Sequence, residues 1–130
     1  MDTDICIFLL QGKYGLEEKI KRVGLKNCYI SEITIAELKY GAENSNNYQK
    51  HILEVEKIER LFTVIPIYGS FGQYAKEKAR LRKEGTLIPD FDLLIGVTAV
   101  TNDLVMVTNN EKHLSRISSI QLENWTKANG

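Results

Sequence analysis

Four short β-rich runs separated by longer helical stretches constrain this chain more than any other feature. Cys28-Tyr29-Ile30, Phe62-Thr63-Val64-Ile65, Leu104-Val105-Met106-Val107 and Ile120-Gln121-Leu122 are rich in the branched and aromatic side chains that suit a pleated strand. Helical stretches occupy roughly 4–12, 15–23, 32–44, 48–61, 69–84 and 91–102. Pro66 and Pro89 each follow an isoleucine, which is thereby biased to extended backbone. Strands alternating with helices imply an α/β fold with a parallel sheet, and such sheets bind ligands at the carboxyl ends of their strands. No internal repeat or low-complexity tract divides the chain, so residues 1–130 read as a single domain.

Composition narrows the classes further. Lys+Arg and Asp+Glu number 17 each, which argues against a general nucleic-acid coat while allowing a local basic patch. At 43% apolar and 26% charged the chain is globular rather than disordered. The longest apolar run, Ile5-Cys6-Ile7-Phe8-Leu9-Leu10, falls far short of the ~20 residues of a membrane span. It follows two aspartates rather than a basic segment, so it is not a signal peptide. Cys6 and Cys28 lack both a disulfide framework and metal-ligand spacing and read as buried thiols. These features lead us to expect a cytoplasmic protein with no membrane association.

The acids that break the apolar pattern are the chemical signal. On the helix from Glu32, steps of about 100° per residue put Glu32, Lys39 and Glu43 on one polar stripe and leave Glu37 among Ile33, Ala36, Tyr40 and Gly41. A carboxylate there is costly unless paired or liganded; a backbone cap or a lysine would satisfy it without any function. The helix from Asp92 carries Leu93, Leu94, Ile95, Val97, Ala99 and Val100 around its axis, with Asp90 and Asp92 flanking Phe91 at its mouth. Capping accounts for one of these aspartates, but two repel each other unless a cation sits nearby. Asp2 and Asp4 precede the first apolar run, where Thr3 and Asp4 can both cap a helix starting at Ile5. Thr108-Asn109-Asn110-Glu111 follows the third strand, either as a simple turn or as part of a ligand-binding edge.

Together these groups form a hard-oxygen constellation at strand ends and helix starts. It suits Mg²⁺ or Mn²⁺, which take few carboxylates from the protein and keep several waters. Zinc is disfavoured, because neither the cysteines nor His51 and His113 occur at ligand spacing. A carboxylate-held divalent ion suits phosphodiester hydrolysis. The sequence offers no competing site: it has no Gly-rich phosphate loop, Gly-x-Ser-x-Gly elbow or nucleophilic cysteine setting.

Four motifs in order carry a family resemblance. Asp2-Thr3-Asp4, Ser31-x-x-Thr34-x-x-Glu37-Leu38-x-x-Gly41, Asp92-Leu93-Leu94-Ile95 and Thr108-Asn109-Asn110-x-x-His113-Leu114 resemble the PIN-domain family, and more narrowly its VapC-type toxins. The resemblance implies a PIN-like α/β/α sandwich with a central, mostly parallel sheet. It also implies a Mg²⁺-dependent endoribonuclease acting on RNA, paired with a VapB-like antitoxin and assembled as a homodimer or toxin–antitoxin hetero-oligomer. By this resemblance Asp2, at the end of the first strand, Glu37 and Asp92 are the metal acids, and Asn110 takes a fourth position often held by aspartate. Thr108, Thr3, Asp4 and Ser31 match flanking polar positions, Asp90 is a candidate outer-shell ligand, and His113 reads as structural or a rim contact.

Three departures carry expectations. Only Met1 precedes Asp2, so either the first strand is very short or native residues precede Met1. Gly96 stands where the family usually has alanine and should slightly relax helix packing. Asn110 in place of aspartate should weaken a second metal position.

RNA contact needs positive charge. On the helix from Ser70, Lys76, Arg80 and Lys83 project opposite Phe71, Tyr74 and Leu81, either as a phosphate-contacting stripe or as a solvated face paired with Glu77 and Glu84. Lys19, Lys21 and Arg22 form a weaker candidate. The stripes Val55, Ile58, Phe62 and Ile5, Phe8, Leu9 read as core or as an antitoxin groove. The alternative from another class is a non-catalytic PIN-like module that binds RNA or protein. A receiver-like phosphoacceptor is discounted, because after Val107 the next lysine is displaced to position 112.

Overall fold

A computed structural model describes residues 1–127. Its elements run α1 (Thr3–Leu10), α2 (Leu16–Val23), β1 (Tyr29–Ser31), α3 (Glu32–Glu43), α4 (Tyr48–Leu61), β2 (Thr63–Ile65), α5 (Phe71–Lys83), α6 (Asp90–Thr101), β3 (Met106–Val107), α7 (Glu111–Leu114) and β4 (Leu122–Glu123). β1 pairs parallel with β2, Ser31 lying opposite Ile65, and β3 pairs parallel with β4, Val107 lying opposite Glu123.

The amino terminus joins the two pairs. The Met1 ammonium donates to the Tyr29 carbonyl at 3.0 Å, and the Asp2 N–H donates to the Val107 carbonyl at 3.1 Å. Residues 1–2 thus lie between β1 and β3 and bridge the two pairs. The α/β arrangement holds, with the parallel sheet present as two short pairs linked through this bridge.

Helices cover both faces because successive strand residues point to opposite sides. Met106 enters a cluster with Leu81, Leu93, Val97 and Leu114, whereas its neighbour Val107 packs with Ile5 and Leu16. A third cluster, including Cys6, Ile30, Leu38, Val55, Ile58 and Phe62, binds α1, α3 and α4 to β1. The Val55–Ile58–Phe62 stripe is therefore core rather than an open groove. Burial pushes the Cys6 thiol up to about 12, which makes it inert at neutral pH. No helix among the described residues is long and apolar enough to cross a membrane.

Three local outcomes differ from the sequence reading. α1 starts at Thr3, because Asp2 itself is the N-cap and accepts from the Ile5 N–H at 3.1 Å. β3 starts late, because Asp103 turns left-handed (φ 55°) and the Leu104 N–H bonds back to the Ala99 carbonyl at 2.9 Å, closing α6. Gly96 does not loosen its helix: a Cβ there would overlap Ile117 Cδ1 and stand 2.8 Å from Leu114 Cδ1. The missing side chain is what lets α7 and the turn after it press onto α6.

Candidate active site

Asp2 sits where the bridge between the strand pairs turns into α1. Its Oδ1 accepts from Ile5 and its Oδ2 from the Thr108 hydroxyl, so both oxygens are fixed while each keeps a further lone pair. Thr108 is fully buried and also accepts the Asn110 N–H at 2.9 Å, tying the loop after β3 to Asp2. Burial pushes the Asp2 carboxyl up and the Asp4 charge adds to this, against the hydrogen bonds from Thr108 and Ile5.

Glu37 reaches the same edge from α3. Ser31 begins that helix by accepting the Ile33 N–H at 3.0 Å, so this buried hydroxyl positions α3. The core face of α3 is Thr34, Ile35, Leu38 and Ala42, while Tyr40 is 69% exposed. Glu37 therefore stands at the border of the core and not on its apolar face. The Thr3 hydroxyl donates to Glu37 Oε1 at 2.5 Å and lies 3.2 Å from the Thr34 hydroxyl. Burial raises the Glu37 carboxyl, and the charges of Asp92 and Asp4 raise it further.

Asp92 completes the group from the first turn of α6. Pro89 is the N-cap of that helix, so neither aspartate is a cap. Burial raises the Asp92 carboxyl, His113 opposes this, and the exposed Asp4 adds to it. Asp90 turns away: it accepts from Lys78 Nζ at 2.8 Å and the Tyr74 hydroxyl at 2.9 Å, which hold its carboxyl below the usual carboxylate range. Asp90 is thus paired with Lys78 and braces α6 against α5 in place of the expected outer-shell role.

The charge of Asp4 acts on Asp2, Glu37 and Asp92, and that of Asp92 on Glu37, while Thr3 donates to Glu37 and Thr108 links Asp2 to Asn110. The structure also divides the basic stripe. Arg80 forks onto Glu77 at 3.1 and 2.8 Å, meets Glu84 at 3.0 Å and donates to the Arg116 carbonyl at 2.7 Å. Glu77 is buried and accepts the Ser118 N–H at 3.0 Å, so Arg80 is a strut between α5 and the segment after α7. Lys76 and Lys83 remain exposed. Thr34 and the Asn110–His113 contact went unassigned in the sequence reading; Thr34 stands three residues before Glu37, a spacing that places it on the same side of the helix.

Among the described residues, no three Asp, Glu, His or Cys side chains converge as a ready-made metal cage. The donor set nonetheless fits a hard divalent ion that keeps its waters, because such ions take only one or two carboxylates directly. Carboxyls raised by burial and by one another's charge are the groups that a cation would relieve.

The PIN domain family matches residues 1–119. The chain belongs to the PIN-domain family. Ribonuclease VapC1 of Haemophilus influenzae (strain R2866) is 34% identical over 131 residues, covering 98% of this chain and 97% of that protein. The tRNA(fMet)-specific endonuclease VapC of Salmonella typhimurium is 32% identical over 127 residues, covering 96% of each. The structure of DNA-bound VapBC from Salmonella typhimurium superposes with a TM-score of 0.88 at 30% identity over 95% of each chain. This PIN domain is therefore of the VapC type, and its acids come from the bridge, the middle of α3 and the first turn of α6.

Proposed function

We propose that this VapC-type PIN domain is an endoribonuclease, the toxin of a toxin–antitoxin pair, working in the cytoplasm with Mg²⁺ or Mn²⁺ at Asp2, Glu37 and Asp92. The observation that carries the reading is geometric: Asp2, held by Thr108 and Ile5, Glu37, held by Thr3, and Asp92, in the first turn of α6, bring carboxyls from three separate segments to one side of the fold, where burial pushes each of them up. Glu37 and Asp92 have no lysine or arginine partner among the described residues. Structural acids are usually paired; acids kept together unpaired are a hallmark of cation sites.

Each residue then has a definite task. Asp2, Glu37 and Asp92 supply the negative oxygens that hold the ion directly or through water. Thr108 and Thr3 fix the rotamers of Asp2 and Glu37 by donating to them. Asn110 orients water, and Thr108 holds the Asn110 backbone beside Asp2. A divalent ion held there lowers the pKa of a bound water and neutralises charge on phosphoryl oxygens, the two requirements of phosphodiester hydrolysis. Lys76 and Lys83 are the cations of the expected stripe left exposed for phosphate contact.

The relatives named VapC and the solved VapBC complexes support RNA as substrate and a VapB-like antitoxin as partner, in a homodimer or a toxin–antitoxin hetero-oligomer. The test is cleavage of a panel of structured RNAs by the purified, antitoxin-free protein with Mg²⁺, with Mn²⁺ and with EDTA. Cutting that EDTA abolishes and Mg²⁺ restores is expected. RNA binding without cutting on every RNA and metal would favour the non-catalytic module instead.

A further inference from the structure

By the family resemblance Asn110 takes the fourth site position, and the two ends of its carboxamide have opposite chemistry. The oxygen accepts hydrogen bonds and can face a cation; the NH₂ only donates and repels one. Rotation about the Cβ–Cγ bond exchanges them, so an asparagine at a cation site needs a neighbour that selects its orientation.

His113 is placed to be that neighbour. It lies three residues further on in α7, with its Nδ1 3.2 Å from Asn110 Nδ2. An amide nitrogen cannot accept, so Nδ1 accepts and the ring proton resides on Nε2. The Asn110 backbone is anchored separately, its N–H on Thr108 and Thr108 in turn on Asp2. His113 also lies near Asp92. Asn110 is thereby held from one side by the Asp2–Thr108 pair and from the other by the ring beside Asp92.

We propose that His113 is a positioning residue that accepts from Asn110 Nδ2 and so turns Asn110 Oδ1 toward the acid cluster. The requirement arises because residue 110 is asparagine: the two oxygens of an aspartate are equivalent and need no selector. The inference rests on the reading of the cluster as a cation site, and it deepens that reading by assigning the device that makes an amide usable there.

The test is Mn²⁺ binding, measured by calorimetry on the full chain, for wild type, His113→Ala, Asn110→Asp and the double variant, each checked by thermal melting. His113→Ala should weaken Mn²⁺ about tenfold, as loss of a supporting contact does. In the Asn110→Asp background the same change should cost less than about twofold, the non-additivity of two coupled residues. His113→Gln, whose carbonyl can accept from Asn110, should recover most of the affinity. In NMR, the Asn110 side-chain amide should lose its protection from exchange in His113→Ala and keep it in His113→Gln. Equal losses in both backgrounds, or no loss in either, would overturn the positioning role while leaving the cation site standing. Failure of the wild type itself to bind Mn²⁺ would overturn the cation site and this inference with it.

Discussion

Glu37→Gln should stabilise the metal-free protein, the reverse of what removing a structural carboxylate does. The glutamine oxygen can still accept from Thr3, so the 2.5 Å contact has a replacement while the charge disappears. What is lost is the burial of a charge and its repulsion by Asp92 and Asp4. Glu37 is half-exposed, so after solvent screening this is worth about 0.5–1 kcal/mol. For a chain of this length that raises Tm by roughly 2–4 °C.

Metal should reverse the order. At a hundredfold excess over Kd, a bound ion stabilises the wild type by about 2.7 kcal/mol, and the variant, with weaker affinity, gains less. Thermal unfolding followed by circular dichroism, in EDTA and in Mg²⁺, would show the two curves crossing. The pH dependence has the same origin. A carboxyl raised in the folded state holds its proton more tightly there than in the unfolded chain. These acids therefore stabilise the metal-free fold as pH falls through their raised native values toward the ordinary carboxylate range, and the gain is absent at neutral pH. A Glu37→Gln protein that melts lower than wild type in EDTA, with an unchanged response to Mg²⁺, would refute the reasoning.

Other substitutions separate structure from function. Thr108→Val removes the donor to Asp2 and the acceptor of the Asn110 N–H in a fully buried position, so unfolding in urea should show a loss of about 1–3 kcal/mol. Gly96→Ala gains about 1 kcal/mol of helix propensity but overpacks Ile117 and Leu114 at a cost of about 1–3 kcal/mol, so Tm should fall. Arg80→Ala should lower thermal stability by stranding the buried Glu77, whereas Lys76→Ala should leave the melt unchanged and weaken RNA binding with a shallower salt dependence.

Asp2 and Asp92 were legible in the sequence because each stands beside an apolar run at an element boundary, and boundaries at one sheet edge converge by topology. Asp92 on an apolar helix and Asp2 before an apolar run are of that kind, and so is the loop after β3. Partners distant in sequence were not legible. Nothing local to Asp90 signals Lys78, so an ion-paired brace read as an outer-shell ligand; the pairing of Arg80 with Glu77 and Glu84 was one of the two readings of its stripe, but nothing local signals its bond to the Arg116 carbonyl. Gly96 was misjudged for the same reason: its packing partners, Ile117 and Leu114, come from beyond the next strand. Glu37 was assigned to the apolar face because the periodicity of α3 cannot say which side of Tyr40 meets solvent.

RNA cleavage by the wild type beside Asp2→Asn, Glu37→Gln and Asp92→Asn, each verified as folded, tests the acid cluster most directly. With Mg²⁺ present, the wild type should cut and each variant should lose at least about a hundredfold in rate, the scale of lost electrostatic stabilisation at a reacting phosphate. Undiminished cutting by a folded Glu37→Gln or Asp92→Asn protein would contradict it.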